Sequence, residues 1–142
     1  MESMEAIERL KELLLGKHYV CFTVGVSFDL NFDGFHLACQ ELLAQDEALV
    51  NQSFADHYQP LQDSANRELV AKSAMLAACL FRTVTSVEAK ADSSLVVGFE
   101  NGIAFTLPTN TPAVDWHWAV TEDVRDPYLD SIVACFSPGE IQ

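Results

Sequence analysis

Residues 28–40 alternate apolar and polar side chains on both sides of one Asp33-Gly34 step. Phe28, Leu30 and Phe32 alternate with Asp29, Asn31 and Asp33, and Phe35, Leu37 and Cys39 with His36, Ala38 and Gln40. A period of two sets one group of side chains on each face of a strand, and no helix can hold it in one stripe. Asp-Gly between two such runs predicts a hairpin through a type I′ turn, whose two central residues both need positive φ. Residues 19–26 are rich in β-branched and aromatic side chains, so 19–40 reads as a three-stranded antiparallel meander.

The same grammar returns later. Residues 83–91 and 95–100 have strand character, Asn101-Gly102 is a second hairpin signal, and 103–107 is the return strand. Residues 115–121 read as a strand with Trp116, Trp118 and Val120 on one face and His117 and Ala119 on the other. Residues 132–136 read as a last strand, and Pro138-Gly139 ends the ordered pattern. The stretch 30–37 resembles 97–105 once one residue is inserted before the glycine. Two readings stay open: unrelated hairpins that share a turn chemistry, or a duplicated helix-and-meander unit over 3–43 and 64–120.

Two stretches carry helical spacing. In 3–15, Ile7, Leu10 and Leu14 form one apolar stripe, Ser3 is the expected N-cap and Gly16 the terminator. In 64–81, Leu69, Ser73, Leu76 and Leu80 with Val70, Ala74, Ala77 and Phe81 predict a broad buried face. Ser64 is the expected cap there, and Glu68 and Lys72 are expected to pair on the outside. Residues 44–63 show no period and read as a long acidic loop with a helical turn. The fold class expected is α+β: antiparallel β-meanders with two main helices packed on one face of the sheet.

A chain of 142 residues is one domain's worth, 1–142, and needs no disulfide or metal to complete a core. Eight Lys and Arg against 21 Asp and Glu give a net charge of −13, which repels nucleic acid and anionic lipid. The segment between Lys17 and Arg67 holds seven acids and no Lys or Arg, and from Glu100 onward seven acids face one Arg. The first twelve residues carry four glutamates, unlike the basic start of a secretory signal, and no apolar run approaches a membrane span. The expected location is cytoplasmic. Cys21, Cys39, Cys79 and Cys135 sit among apolar neighbours without ligand spacing and read as reduced core thiols, with no metal and no cofactor.

Residues 76–120 resemble a small uncharacterised bacterial α+β domain family. The resemblance lies in a short helix, a strand like Thr83-Val84-Thr85-Ser86-Val87-Glu88-Ala89, and a hairpin like Leu95-Val96-Val97-Gly98-Phe99-Glu100-Asn101-Gly102. A proline connection and the acidic-aromatic Asp115-Trp116-His117-Trp118 complete it. In size and acidity the chain is also similar to immunity proteins of bacterial toxin–immunity systems. Neither resemblance supplies catalytic residues, and the acidic loop 44–63 departs from the family pattern.

No nucleophile elbow, phosphate loop or metalloprotease motif is present in the sequence. His18, His36, His57 and His117 are scattered, though His36 and His117 could meet a carboxylate in space. Trp116 and Trp118 read either as core anchors or as a protein-binding hot spot, and the acids near them either as a solvated face or as a contact surface. The expectation is a non-enzymatic acidic binding protein that neutralises a basic toxin domain by steric and electrostatic occlusion. Its candidate contact residues are Asp46, Glu47, Asp56, Asp115, Trp116, Trp118, Glu122, Asp123 and Asp126. The alternative is a small ligand-binding domain or enzyme with a pocket between helix 64–81 and the sheet. A free sheet edge could also pair two copies.

Overall fold

The computed structural model describes residues 3–122, 127–128 and 131–142. Helix α1 (Ser3–Leu14) buries Ala6, Leu10 and Leu14, and Gly16 ends it at φ +79°. Strands β1 (Tyr19–Val24), β2 (Phe28–Phe32) and β3 (Phe35–Cys39) follow as an antiparallel meander, with Phe32 opposite Phe35 across the Asp33-Gly34 turn. Only Gly34 has positive φ there. The turn therefore has the signs of type II and not of the expected type I′.

The chain continues through β4 (Leu43–Ala44), helix α2 (Glu47–His57), a 3-10 turn (Gln59–Leu61) and helix α3 (Ser64–Ala78). Then come β5 (Val84–Ala89), β6 (Leu95–Phe99), β7 (Ala104–Leu107), β8 (Trp118–Thr121), β9 (Ser131–Ser137) and β10 (Glu140–Ile141). The α+β class and the antiparallel meanders are as expected, and the strands divide between two sheets. One has the order β1-β2-β3-β8-β9-β10, the other β4-β7-β6-β5. A helix followed by a three-stranded meander occurs twice, once for each sheet. Helix α1 packs against β5, β9 and β10, and α3 against β1 and β4, so each main helix touches both sheets.

Several local expectations are corrected. The Asn101-Gly102 hairpin closes through three residues: the Phe99 amide donates to the Ile103 carbonyl, and Gly98 lies opposite Ala104. Residues 44–63 are mainly the helix α2. Strand β8 starts at Trp118, so Trp116 precedes it, and Pro138-Gly139 turns the chain into β10.

Helix α3 is capped by Asp63, whose carboxylate accepts from the Ala65 and Asn66 amides, and not by Ser64. It buries Ala71, Lys72, Met75 and Leu76 while Leu69 and Phe81 are exposed. Its inner face is therefore rotated from the predicted one. Phe81 lies beyond the helix at φ +64°, and its amide donates to the Tyr19 carbonyl.

The core lies between the sheets. Tyr19 meets Phe32 and Phe99 edge-on, with ring centroids 5.9 and 5.6 Å apart, and its hydroxyl donates to the Leu76 carbonyl of α3. Trp118 is fully buried, and its indole N–H donates to the Ser93 carbonyl at 2.9 Å. Ser93 itself sits in the left-handed region, at φ +67°, in the β5–β6 connection. This bond ties one sheet to a loop of the other. Cys39, Cys79 and Cys135 are buried, but Cys21 is exposed on β1, against the expectation of a core thiol. No helix among the described residues is long and apolar enough to cross a membrane.

Candidate functional site

Helix α2 is held by one stripe of its surface. Glu47, Val50, Asn51, Phe54 and Ala55 are half-buried at helical spacing, and none of its residues is fully buried. Two members of that stripe are polar, which is why no apolar period was visible. Each polar member meets a cation from α3.

Lys72 is only 4% exposed. Its ammonium donates to the Leu42 carbonyl at 2.6 Å, lies 3.0 Å from both Glu47 carboxylate oxygens, and is 3.5 Å from Glu41. A lysine has three N–H donors, so these partners use all of them. Glu47 also accepts from the Ala44 amide at 2.9 Å. The Arg67 guanidinium donates through Nε to Asn51 Oδ1 at 2.6 Å and reaches the Leu61 and Gln62 carbonyls. Both cations of α3 thus point inward and pin α2. Lys72 does not pair with Glu68 on the outside, as the i,i+4 spacing predicted.

The opposite stripe of α2 faces solvent. Leu49 is 70% exposed, and Asp46, Gln52, Asp56 and His57 are exposed around it. Gln52 Nε2 donates to Asp56 Oδ1 at 2.8 Å, which fixes that carboxylate along the helix. Asp46 starts the helix in the left-handed region with no side-chain cap bond, so its carboxylate is not consumed by capping. The result is an exposed apolar side chain rimmed by carboxylates.

The other predicted contact residues are scattered. Asp115 is exposed and Trp116 half-buried, both ahead of β8. Trp118 lies in the core and cannot touch a partner. Glu47 is engaged by Lys72 and is not a free acid. Glu122 is exposed but lies at the far end of β8, next to Thr121, which pairs with His36 near the Asp33-Gly34 turn. The 115 end of β8 lies instead beside Gln40, whose amide donates to the His117 carbonyl. The structure therefore brings Asp46 and Asp56 onto one helix, and Glu122 onto a different end of the molecule. Asp123 and Asp126 lie outside the described residues.

The sequence left open a pocket beside helix 64–81 and a meeting of histidine and carboxylate. A cleft of about 260 Å³ lies between α3 and the β1–β2 turn, lined by residues that include Gly25, Val26, Glu41, Glu68, Leu69 and Lys72. His36 Nδ1 lies 3.3 Å from Asp29 Oδ2 on β2 and β3, so one histidine does meet a carboxylate. That pair was implicit in the hairpin register. Asn31 faces His36 and Asp29 faces Ala38, which makes Asp29 and His36 diagonal neighbours on one face. His117 is buried, and among the described residues its Nδ1 has no hydrogen-bond partner; burial lowers its pKa. No group of three or more His, Cys, Asp or Glu among the described residues is placed to hold a metal ion. Comparison with protein-family models, with curated proteins and with solved structures finds no match to this chain.

Proposed function

We propose that the protein is a non-enzymatic binding protein that neutralises a basic toxin domain, in the manner of an immunity protein, with α2 as the main contact. One observation carries the reading: the outer stripe of α2 offers Leu49 among Asp46 and Asp56, while Lys72 and Arg67 are turned inward. The face is thereby acidic without a compensating surface cation in its own helix. A cationic partner would be steered to it at long range, and Leu49 would supply a desolvated centre.

The test is co-expression with the product of the neighbouring upstream gene, scored for cell survival. Asp46→Lys with Asp56→Lys should slow association and abolish the steep salt dependence of the on-rate; Leu49→Asp should raise dissociation. A harmless neighbour, or full protection by all variants, overturns the reading.

The cleft beside α3 supports a second reading, a small-ligand domain whose Glu41 and Glu68 walls suit an amine. A thermal shift on adding a small amine, lost in Glu68→Gln, would favour it.

A further inference from the structure

The geometry points to a homodimer formed through the free edge of β1, in which two copies join antiparallel about a twofold axis. Four strands end the two sheets. β4 and β10 are two residues long, and β5 carries Glu88. Short length and charge are usual protections of a sheet edge. β1 has six residues, and from Tyr19 to Phe28 there is no charged side chain, in a chain of net charge −13. A bulge at Val20 distorts only its first turn of pairing, and Cys21 through Val24 run in regular register with β2. Among the described residues, its only backbone bond beyond β2 is the Phe81 amide on the Tyr19 carbonyl. Apolar side chains stand open at both ends: Phe81 is 65% exposed and Val26 99%.

Charge complementarity selects a second copy as the occupant. At the start of β1 lie the exposed Lys17 and His18. At its far end Glu41 and Glu68 line the cleft beside Gly25 and Val26. Antiparallel pairing sets the start of one strand against the far end of the other, so Lys17 and His18 of each copy face the exposed Glu68 of the other. The contact is self-complementary and occurs twice, as a twofold interface requires. An axis at Phe22 places Cys21 opposite Thr23 of the other copy, with the two Cys21 side chains on one sheet face at the diagonal spacing of about 7–8 Å. The interface does not use α2, which packs on α3.

Sedimentation of the purified protein over a range of concentrations should give a monomer–dimer equilibrium. A short bismaleimide should trap the dimer in the wild type and not in Cys21→Ser. Thr23→Lys, on an exposed position, should raise the dimer dissociation constant by about tenfold or more while circular dichroism and melting stay unchanged. Lys17→Glu should weaken the dimer, and Lys17→Glu with Glu68→Lys should restore it. A monomer at every concentration overturns the inference. So does a dimer that survives Thr23→Lys and is not trapped through Cys21.

Discussion

The Lys72 ammonium lies 3.0 Å from the Glu47 carboxylate, and this contact fixes α2 on α3. Neither residue is visible to a helical-wheel reading of the core, because each is charged and each faces inward. Their bond supplies the position, and the exposed stripe of α2 follows from it.

Breaking one side of that pair leaves a charge with little water. Lys72→Met should destabilise the protein by about 3–5 kcal/mol. Lys72→Met with Glu47→Gln should recover part of the loss, since no buried charge then lacks a partner. Urea denaturation of the two single variants and the double variant gives the coupling. Additive losses would show that the pair does not hold α2.

Trp118 and Trp116 should separate cleanly. Trp118→Phe removes the donor to the Ser93 carbonyl and leaves that buried acceptor unmet, a cost of about 1–3 kcal/mol. Trp116, half-buried and outside the strand, should tolerate Phe within about 0.5 kcal/mol. Denaturation midpoints followed by circular dichroism decide between them.

The cap of α3 gives a sharper contrast between neighbours. Asp63→Ala deletes the carboxylate that accepts from the Ala65 and Asn66 amides and should cost about 1 kcal/mol. Ser64→Ala should be close to neutral. Equal effects at the two positions would place the cap elsewhere.

The thiols predict an alkaline limit. Burial pushes Cys39, Cys79 and Cys135 up, Cys135 to about 11 from 9.0. An unfolded thiol ionises first, so the native state holds its proton longer. The stability this contributes is complete below the ordinary thiol value and is lost as pH rises toward 11. The slope is at most about 1.4 kcal/mol per pH unit for each thiol. Urea midpoints should therefore fall between pH 9 and 11. At pH 8 a thiol reagent should modify Cys21 alone in the native protein, and all four thiols after unfolding.

Local chemistry was legible where neighbours in sequence decide the outcome. Gly34 stands where a two-residue turn needs positive φ, and the alternation around it set the β2–β3 register. Gly16 ended α1 where the apolar stripe stopped. The diagonal contact of Asp29 and His36 follows from the same register. Contacts between distant segments were not legible, because their partners share no local pattern. Lys72 satisfies every rule for a solvent-facing i,i+4 partner of Glu68, yet the approach of Leu42 and Glu47 gives it three acceptors inside the fold. Asn51 hid the period of α2 because Arg67, on another helix, completes its stripe. Which of two tryptophans is core was settled by the Ser93 carbonyl, delivered by a loop 25 residues away in the chain. Helices α1 and α3 and the strands of the two meanders were readable because their energies are local, whereas α2, the short strands β4 and β10 and the types of both hairpin turns were not. Which charges face inward was set by the packing of α2, α3 and the Leu42 segment, because the cost of burying a charge depends on the partner that arrives from elsewhere in the chain.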